Sequence, residues 1–309
     1  MSRIPVVLVT GFLGSGKTTL LRELALSHPD WRLVFLVNEY ADTSVDGEIL
    51  AATGSPTQSV VGGSLFCECK AGDFIRTMRE EVYGYHRTSP LDAVIIETSG
   101  TADPDAIGKL MMAHGLSENF ELRSILTVVA PAKLNRLLGN LPVVEAQIQS
   151  SDWIVINKTD TADEETLART EASIRALNPT ARLVRAVQCR FDFVLPERSP
   201  AAPQGELSTC DANPFTTVET EWPQSHSVDR AKAWLTSLPE TILRVKGRIS
   251  TPEGDWHVER TVDSLQIDPT NPGLNRIVLI AHDDHEEDLQ KAVKSMPTAS
   301  VPQTGHLNS

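Results

Sequence analysis

The stretch Gly11-Phe12-Leu13-Gly14-Ser15-Gly16-Lys17-Thr18-Thr19 constrains this chain more than any other feature. Its spacing, G-x-x-x-x-G-K-[ST], is that of a phosphate-binding loop, and its flanks agree. Ahead of it, Ile4-Pro5-Val6-Val7-Leu8-Val9 is an apolar, β-branched run that reads as a buried strand. Behind it, Leu20-Leu21-Arg22-Glu23-Leu24-Ala25-Leu26 repeats apolar residues at helical spacing. A strand that feeds a glycine loop into a helix N-terminus aims backbone N–H groups and the positive end of the helix dipole at one point. That point suits a polyphosphate. Gly11, Gly14, Ser15, Gly16, Lys17, Thr18 and Thr19 are the expected nucleotide-binding set. Within it, Lys17 would neutralise the β and γ phosphates and the Thr18 hydroxyl would ligate magnesium.

At 309 residues the chain exceeds one typical core, so two domains are expected. A net charge of −13 leaves no basic stripe for a nucleic acid or an anionic membrane surface, and neither is expected as a partner. No apolar run reaches the ~18 residues that span a bilayer. The first strand begins at Ile4 with no room for a signal peptide, and the four cysteines do not form a secreted disulfide pattern. A reduced, cytoplasmic setting is expected.

Taken in order, buried strands are predicted at residues 33–37, 92–97, 124–129, 153–156 and 181–187, with helices at 73–85, from about 103, up to about 149, and at 163–177. Asp103 reads as the N-cap of the second helix, with Pro104 at its first position. Residues 52–63, rich in Gly, Ser, Thr and Pro, read as loop. Strands alternating with helices imply an α/β fold with a mostly parallel sheet covered on both faces. The pattern dissolves after Gln188, and residues 191–213 are read as a linker between a nucleotide domain (1–190) and a second domain (214–296). There, strand-like runs at 215–221, 241–249, 256–262 and 276–281 and helices at 228–235 and 284–294 predict a small α+β domain with an antiparallel sheet. Residues 297–309 have little to bury and are expected to be a disordered tail.

Two further motifs carry chemistry. In Asn157-Lys158-Thr159-Asp160, at the end of a predicted strand, the Asp160 carboxylate can accept from guanine N1 and the exocyclic amine. Adenine has no such donor pair, and an unpaired buried carboxylate is costly. Asn157 would hold the loop and touch the base, with the Lys158 stem over the ring. In Glu97-Thr98-Ser99-Gly100, Glu97 would hold magnesium through water, and Gly100 would give its N–H to the γ-phosphate because no Cβ blocks the approach. Lys17, Glu97 and Gly100 are the expected catalytic groups.

The combination resembles the CobW-like GTPases, relatives of the urease and hydrogenase metal-insertion GTPases. The resemblance rests on the loop from Gly11 to Thr19, Asn38-Glu39-Tyr40, Glu97-Thr98-Ser99-Gly100-Thr101-Ala102-Asp103-Pro104, and Asn157-Lys158-Thr159-Asp160. Arg244-Val245-Lys246-Gly247 is similar to the signature of the family's second domain. The resemblance implies a P-loop NTPase fold, GTP and Mg2+ as ligands, and hydrolysis coupled to delivery of zinc or cobalt to a client metalloprotein or assembly partner. A nucleotide-dependent homodimer is a further expectation.

The chain also departs from that family. Its hallmark C-x-C-C is degenerate here, reading Ser64-Leu65-Phe66-Cys67-Glu68-Cys69-Lys70. Ala41-Asp42 stands where the family often has Gly-Glu, and Val129-Ala130-Pro131 where it has Val-Asp-Ala. Two thiolates in C-x-C cannot complete a tetrahedral site alone. Glu39, Asp42 and Cys67 are the candidate transition-metal ligands, a donor set that suits zinc or cobalt. Cys67 as a small buried apolar residue is the plainer alternative. His282-Asp283-Asp284-His285-Glu286-Glu287-Asp288 reads as a solvated helix start. No water-orienting Gln or arginine finger is evident, so intrinsic turnover should be slow. Two other classes compete: a guanine-nucleotide switch that controls partner binding without metal cargo, and a P-loop kinase, for which no Arg-rich lid is found.

Overall fold

The computed structural model describes residues 3–39, 57–61, 71–100, 102–139, 141–196, 215–262 and 264–297. Chain contacts divide the molecule into two units, Met1–Asn213 and Pro214–Ser309.

The first unit is built on a seven-stranded parallel sheet in the order β3-β2-β4-β1-β5-β6-β7. Its strands are β1 (Ile4–Thr10), β2 (Leu33–Glu39), β3 (Thr57–Val61), β4 (Ala93–Glu97), β5 (Phe120–Val129), β6 (Trp153–Ile156) and β7 (Arg182–Arg185). Helices alternate with them: α1 (Lys17–Ser27), α2 (Ala71–Arg76), α3 (Tyr83–Thr88), α4 (Asp105–Ala113), α5 (Pro131–Leu137), α6 (Pro142–Gln149) and α7 (Glu164–Leu177). Because both faces of the sheet are covered, β1 is apolar on both. Val6 and Leu8 join one core cluster with Phe74, Met78 and Phe120, while Val7 and Val9 join another with Leu20, Leu24 and Trp153. Between α2 and α3 runs a π-helical turn, Thr77–Val82, inside the stretch predicted as one plain helix.

Four local readings need correction. Residues 57–61, expected to be loop, form the edge strand β3 and pair with Phe35 through Glu39 of β2. A polar edge strand is held by main-chain bonds on one side only, so a Gly/Ser/Thr/Pro composition hides it. Helix α4 starts at Asp105 with Pro104 as its N-cap, so Asp103 lies one residue outside the cap position. Phe191, Phe193 and Leu195, inside the expected linker, pack on the Trp153 and Trp31 side of the first unit's core, and Phe193 is only 3% exposed. Helix α7 starts at Glu164 rather than the predicted 163, because Asp163 is its N-cap and its carboxylate accepts from the Thr166 N–H at 2.8 Å.

The second unit is a five-stranded antiparallel sheet, β11-β10-β9-β12-β8, of β8 (Phe215–Thr220), β9 (Ile242–Thr251), β10 (Gly254–Thr261), β11 (Ser264–Pro269) and β12 (Arg276–His282). Helices α8 (Val228–Ser237) and α9 (Glu286–Lys294) supply Ala231, Trp234, Leu235 and Leu289 to a core with Val245, Val258 and Leu279. Edge strand β11, outside the predicted strands, turns Leu265 and Ile267 to the core and leaves its other residues exposed; two apolar positions in a short run that ends at Pro269 give a weak strand signal.

Candidate functional site

In an open parallel sheet, ligands gather beyond the carboxyl ends of the strands where the chain changes direction across the sheet. Here that point is β1, flanked by β4 on one side and β5 on the other. The segments at the carboxyl ends of β1, β4, β5 and β6 carry the phosphate loop, Glu97 to Gly100, Lys133 on helix α5, and Asn157 respectively.

The carbonyls of the phosphate loop are held by side-chain donors, one from the loop itself and three from outside it. Lys17 Nζ donates to the Gly11 carbonyl at 2.9 Å, and Lys158 Nζ to the Gly14 carbonyl at 3.0 Å. Lys133 Nζ, from α5, donates to the Leu13 carbonyl at 3.2 Å, and Asn157 Nδ2 to the Ser15 carbonyl at 3.0 Å. Carbonyls drawn outward favour N–H groups turned inward, the arrangement of an anion-binding nest. Gly16 has φ 115°, and a Cβ there would stand 2.4 Å from Asn157 Nδ2. Only glycine lets the loop and Asn157 approach this closely.

At the start of α1, the Thr18 hydroxyl donates to Glu97 Oε2 at 3.3 Å, joining two groups that lie 79 residues apart in sequence. Glu97 is buried, 6% exposed. A hydroxyl and a carboxylate at this distance are hard oxygen donors of the kind Mg2+ takes. Gly100 is pressed against the phosphate loop: a Cβ would meet the Leu13 backbone N at 2.8 Å and Leu13 Cδ2 at 2.6 Å.

Asn157 is 2% exposed and works at both ends. Its amide nitrogen holds the phosphate loop, and its Oδ1 accepts from the Cys189 N–H at 2.9 Å. Lys158 takes a left-handed backbone, φ 60°, which brings its ammonium back over the loop. Asp160 lies in the following 3-10 turn, Thr159–Thr161, and is exposed. Thr19 lies in the first turn of α1, partly buried.

Three residues of this site carry no motif and were not foreseen: Lys133, Gln147 and Cys189. Gln147 Nε2, on α6, donates to the carbonyls of Gly100 and Ala102. Cys189 follows Gln188, and both have positive φ, 52° and 57°, which is strained for residues with a Cβ. Its Sγ lies 3.4 Å from the Gly16 carbonyl, and burial pushes the thiol up to about 12, with Glu23 nearby adding to the effect. Cys189 is therefore a protonated packing residue at neutral pH.

Asp42, Cys67 and the side chain of Glu39 lie outside the described residues; the Glu39 backbone ends β2, paired with Val61. Among the described residues no three His, Cys, Asp or Glu side chains group as a metal site, and no helix is long and apolar enough to cross a membrane.

Comparison with known proteins agrees with the geometry of the first unit. The zinc chaperone CobW of Pseudomonas aeruginosa is 32% identical over 212 residues, which cover 59% of this chain and 56% of that protein. The zinc-regulated GTPase metalloprotein activator 1 of Saccharomyces cerevisiae is 30% identical over 206 residues, covering 58% and 47%. The chain thus spans about half the length of these two relatives. The zinc chaperone YeiR of Escherichia coli is 26% identical over 331 residues, covering 95% of this chain and 98% of that protein. Residues 5–185, from β1 to the end of β7, match the nucleotide-binding domain of the CobW/HypB/UreG proteins, and the chain belongs to that family.

Proposed function

We propose that the protein binds GTP with Mg2+, hydrolyses it slowly to GDP and phosphate, and couples that cycle to delivery of zinc to a client metalloprotein. The observation that carries the nucleotide reading is the convergence of Asn157 and Lys158 on the back of the phosphate loop. It supports a base site in the segment ending in Asp160 for a nucleotide whose phosphates lie in that loop.

Each group then has a role. Lys17 leaves the Gly11 carbonyl and takes the β and γ phosphates. Thr18 and Glu97 would hold Mg2+, Glu97 through water, and the ion would supply neutralisation of phosphate charge. The Gly100 N–H approaches the γ-phosphate, and Asp160 accepts from guanine N1 and the exocyclic amine. Turnover without a partner should be on the order of 10⁻⁴ to 10⁻² per second, because no water-orienting group is evident. Equilibrium binding of GTP and ATP to the purified protein tests this reading. A marked guanine preference is expected, and equal affinities would overturn it.

The metal half rests on relatives that are named zinc chaperones. In this chain Glu39, Asp42 and Cys67 are the proposed exchangeable ligands, and cobalt fits the same donor set. If nucleotide and metal are linked, each must change the other's affinity by the same factor. Zinc titrated into the GDP form, the GTP-analogue form and a Cys67→Ser variant should give three different affinities. Identical affinities would leave a guanine-nucleotide switch that acts only through partner binding.

A further inference from the structure

Helix α6 buries Val144 and Ile148, yet between them it buries an amide, Gln147, at 1% exposure. Burying an amide costs a few kcal/mol unless its hydrogen bonds are made, and an apolar side chain of similar size would fill the same space. The amide is used. Gln147 Nε2 donates to the Gly100 and Ala102 carbonyls, 3.2 Å each, and these flank a turn closed by the Ala102 N–H on the Ser99 carbonyl at 3.1 Å.

Gln147 is itself fixed. Its own carbonyl accepts from the Thr127 hydroxyl at 2.8 Å and from the Ser151 hydroxyl, which also touches Thr127. Asn178 Nδ2 holds the adjoining carbonyls of Ile148 and Ser151 at 2.8 Å each. The clamped turn follows directly from Glu97 and carries Gly100 against Leu13. A small pocket of about 20 Å3 beside it, lined by Ser15, Lys133, Thr127 and Gln147, leaves the Ser15 hydroxyl buried without a hydrogen-bond partner among the described residues. The turn after β4 is held by Gln147 from α6.

We infer that Gln147 is a positioning residue for the γ-phosphate: it sets where Gly100 stands relative to the phosphate loop, and so how well the site separates GTP from GDP. This rests on the nucleotide reading above. On that reading Gly100 meets the γ-phosphate, which GDP lacks, so loosening the turn should weaken GTP and spare GDP. Because α6 runs on into β6 and Asn157, the same residue joins the turn to the segment that carries the base site.

The test uses the full chain with Gln147→Met, which keeps volume and removes the donors, and Gln147→Glu, which keeps shape and replaces the amide by a carboxylate. Affinities for GDP and for guanosine 5′-(β,γ-imido)triphosphate are measured, together with kcat and KM for GTP. The expected result is GDP affinity unchanged and the affinity for the triphosphate analogue lower by about tenfold, the scale of two buried neutral hydrogen bonds lost in part to water. A parallel fall in kcat is expected. A ratio of analogue to GDP affinity equal to that of the unaltered protein overturns the inference, as does an equal loss of both ligands, which marks a merely structural role. If neither variant folds, hydrogen exchange on the unaltered, nucleotide-free protein decides. A peptide spanning residues 96–104 should be as protected as one from α6, and rapid complete exchange there overturns the inference. If the unaltered protein binds neither nucleotide, the nucleotide reading fails and takes this inference with it. The other outcomes leave that reading standing.

Discussion

Around the phosphate loop, the carbonyls of Gly11, Leu13, Gly14 and Ser15 are held by Lys17, Lys133, Lys158 and Asn157. At the base end, the residue expected to read guanine, Asp160, stands exposed on a 3-10 turn. The two ends meet in Asn157, which bonds the phosphate loop through its nitrogen and the Cys189 turn through its oxygen. The phosphate end is a preorganised cradle, where the cost of ordering backbone is met on folding rather than on binding. On the proposed reading, discrimination at the base end would rest on one carboxylate, whose hydrogen bonds are exchanged with water until a base arrives.

The largest effect should come from removing the one cradle donor proposed to switch to the ligand. Lys17→Ala should lower GTP turnover by at least about a hundredfold, the scale of losing a preorganised electrostatic group. Single-turnover hydrolysis checks it, and a variant with normal turnover would break the assignment of that end.

Next comes the shared pin. Asn157→Ala leaves the Ser15 carbonyl and the Cys189 N–H, both buried, without their partner, and should cost about 2–3 kcal/mol of stability. Urea unfolding with an unchanged m-value would read it. Because Asn157 joins both ends, GDP binding should weaken as well. A variant with unaltered stability would show the two ends to be independent.

Asp160→Asn should act at the base end alone. It exchanges an acceptor for an amide donor, so GTP affinity should fall at least about tenfold while xanthosine triphosphate, with a carbonyl in place of the amine, gains. Circular dichroism and melting temperature should not move, since Asp160 is exposed. Equal losses for both nucleotides would place base recognition elsewhere.

The smallest effect concerns Cys189. Its thiol is held up at about 12 in the folded protein against an ordinary value near 9.0, with burial as the main cause. The stability this gives is fully present below the unfolded value and is lost as pH rises from about 9 to about 12, because only the unfolded chain ionises there. Cys189→Ala should therefore lose less stability than the unaltered protein over that window, while at pH 7 it shows only the cost of the lost packing. Slow alkylation of Cys189 at pH 8 under native conditions is the companion observation, and rapid alkylation would contradict its burial.

Local pattern made much of this site legible. The spacing from Gly11 to Thr19, between an apolar strand and an amphipathic helix, is complete within a short window, and the same holds for Asn157 to Asp160 at the end of β6. The partners that hold these segments were not legible. Lys133 meets Leu13 across 120 residues, Gln147 meets Gly100 across 47, and Cys189 meets Gly16 across 173. Each looks ordinary in its own neighbourhood: a lysine on a surface-like helix, an amide in a polar stretch, a cysteine without a second cysteine. Strand β3 stayed hidden for a related reason, since an edge strand is held by its neighbour's main chain and needs no apolar alternation of its own; β11 does alternate, but with only Leu265 and Ile267 apolar.

Sequence by itself determined the path of the backbone through the nucleotide loops. Glycines permit the positive φ at Gly11, Gly14 and Gly16, and apolar runs bury β1 on both faces. Tertiary structure decided which side chains brace those loops. That choice depends on β4, β1, β5 and β6 standing side by side in the sheet, which brings the loops after them to one edge. A hydrogen bond needs its two atoms within about 3 Å, and no periodicity in a single segment records which distant segment will be there.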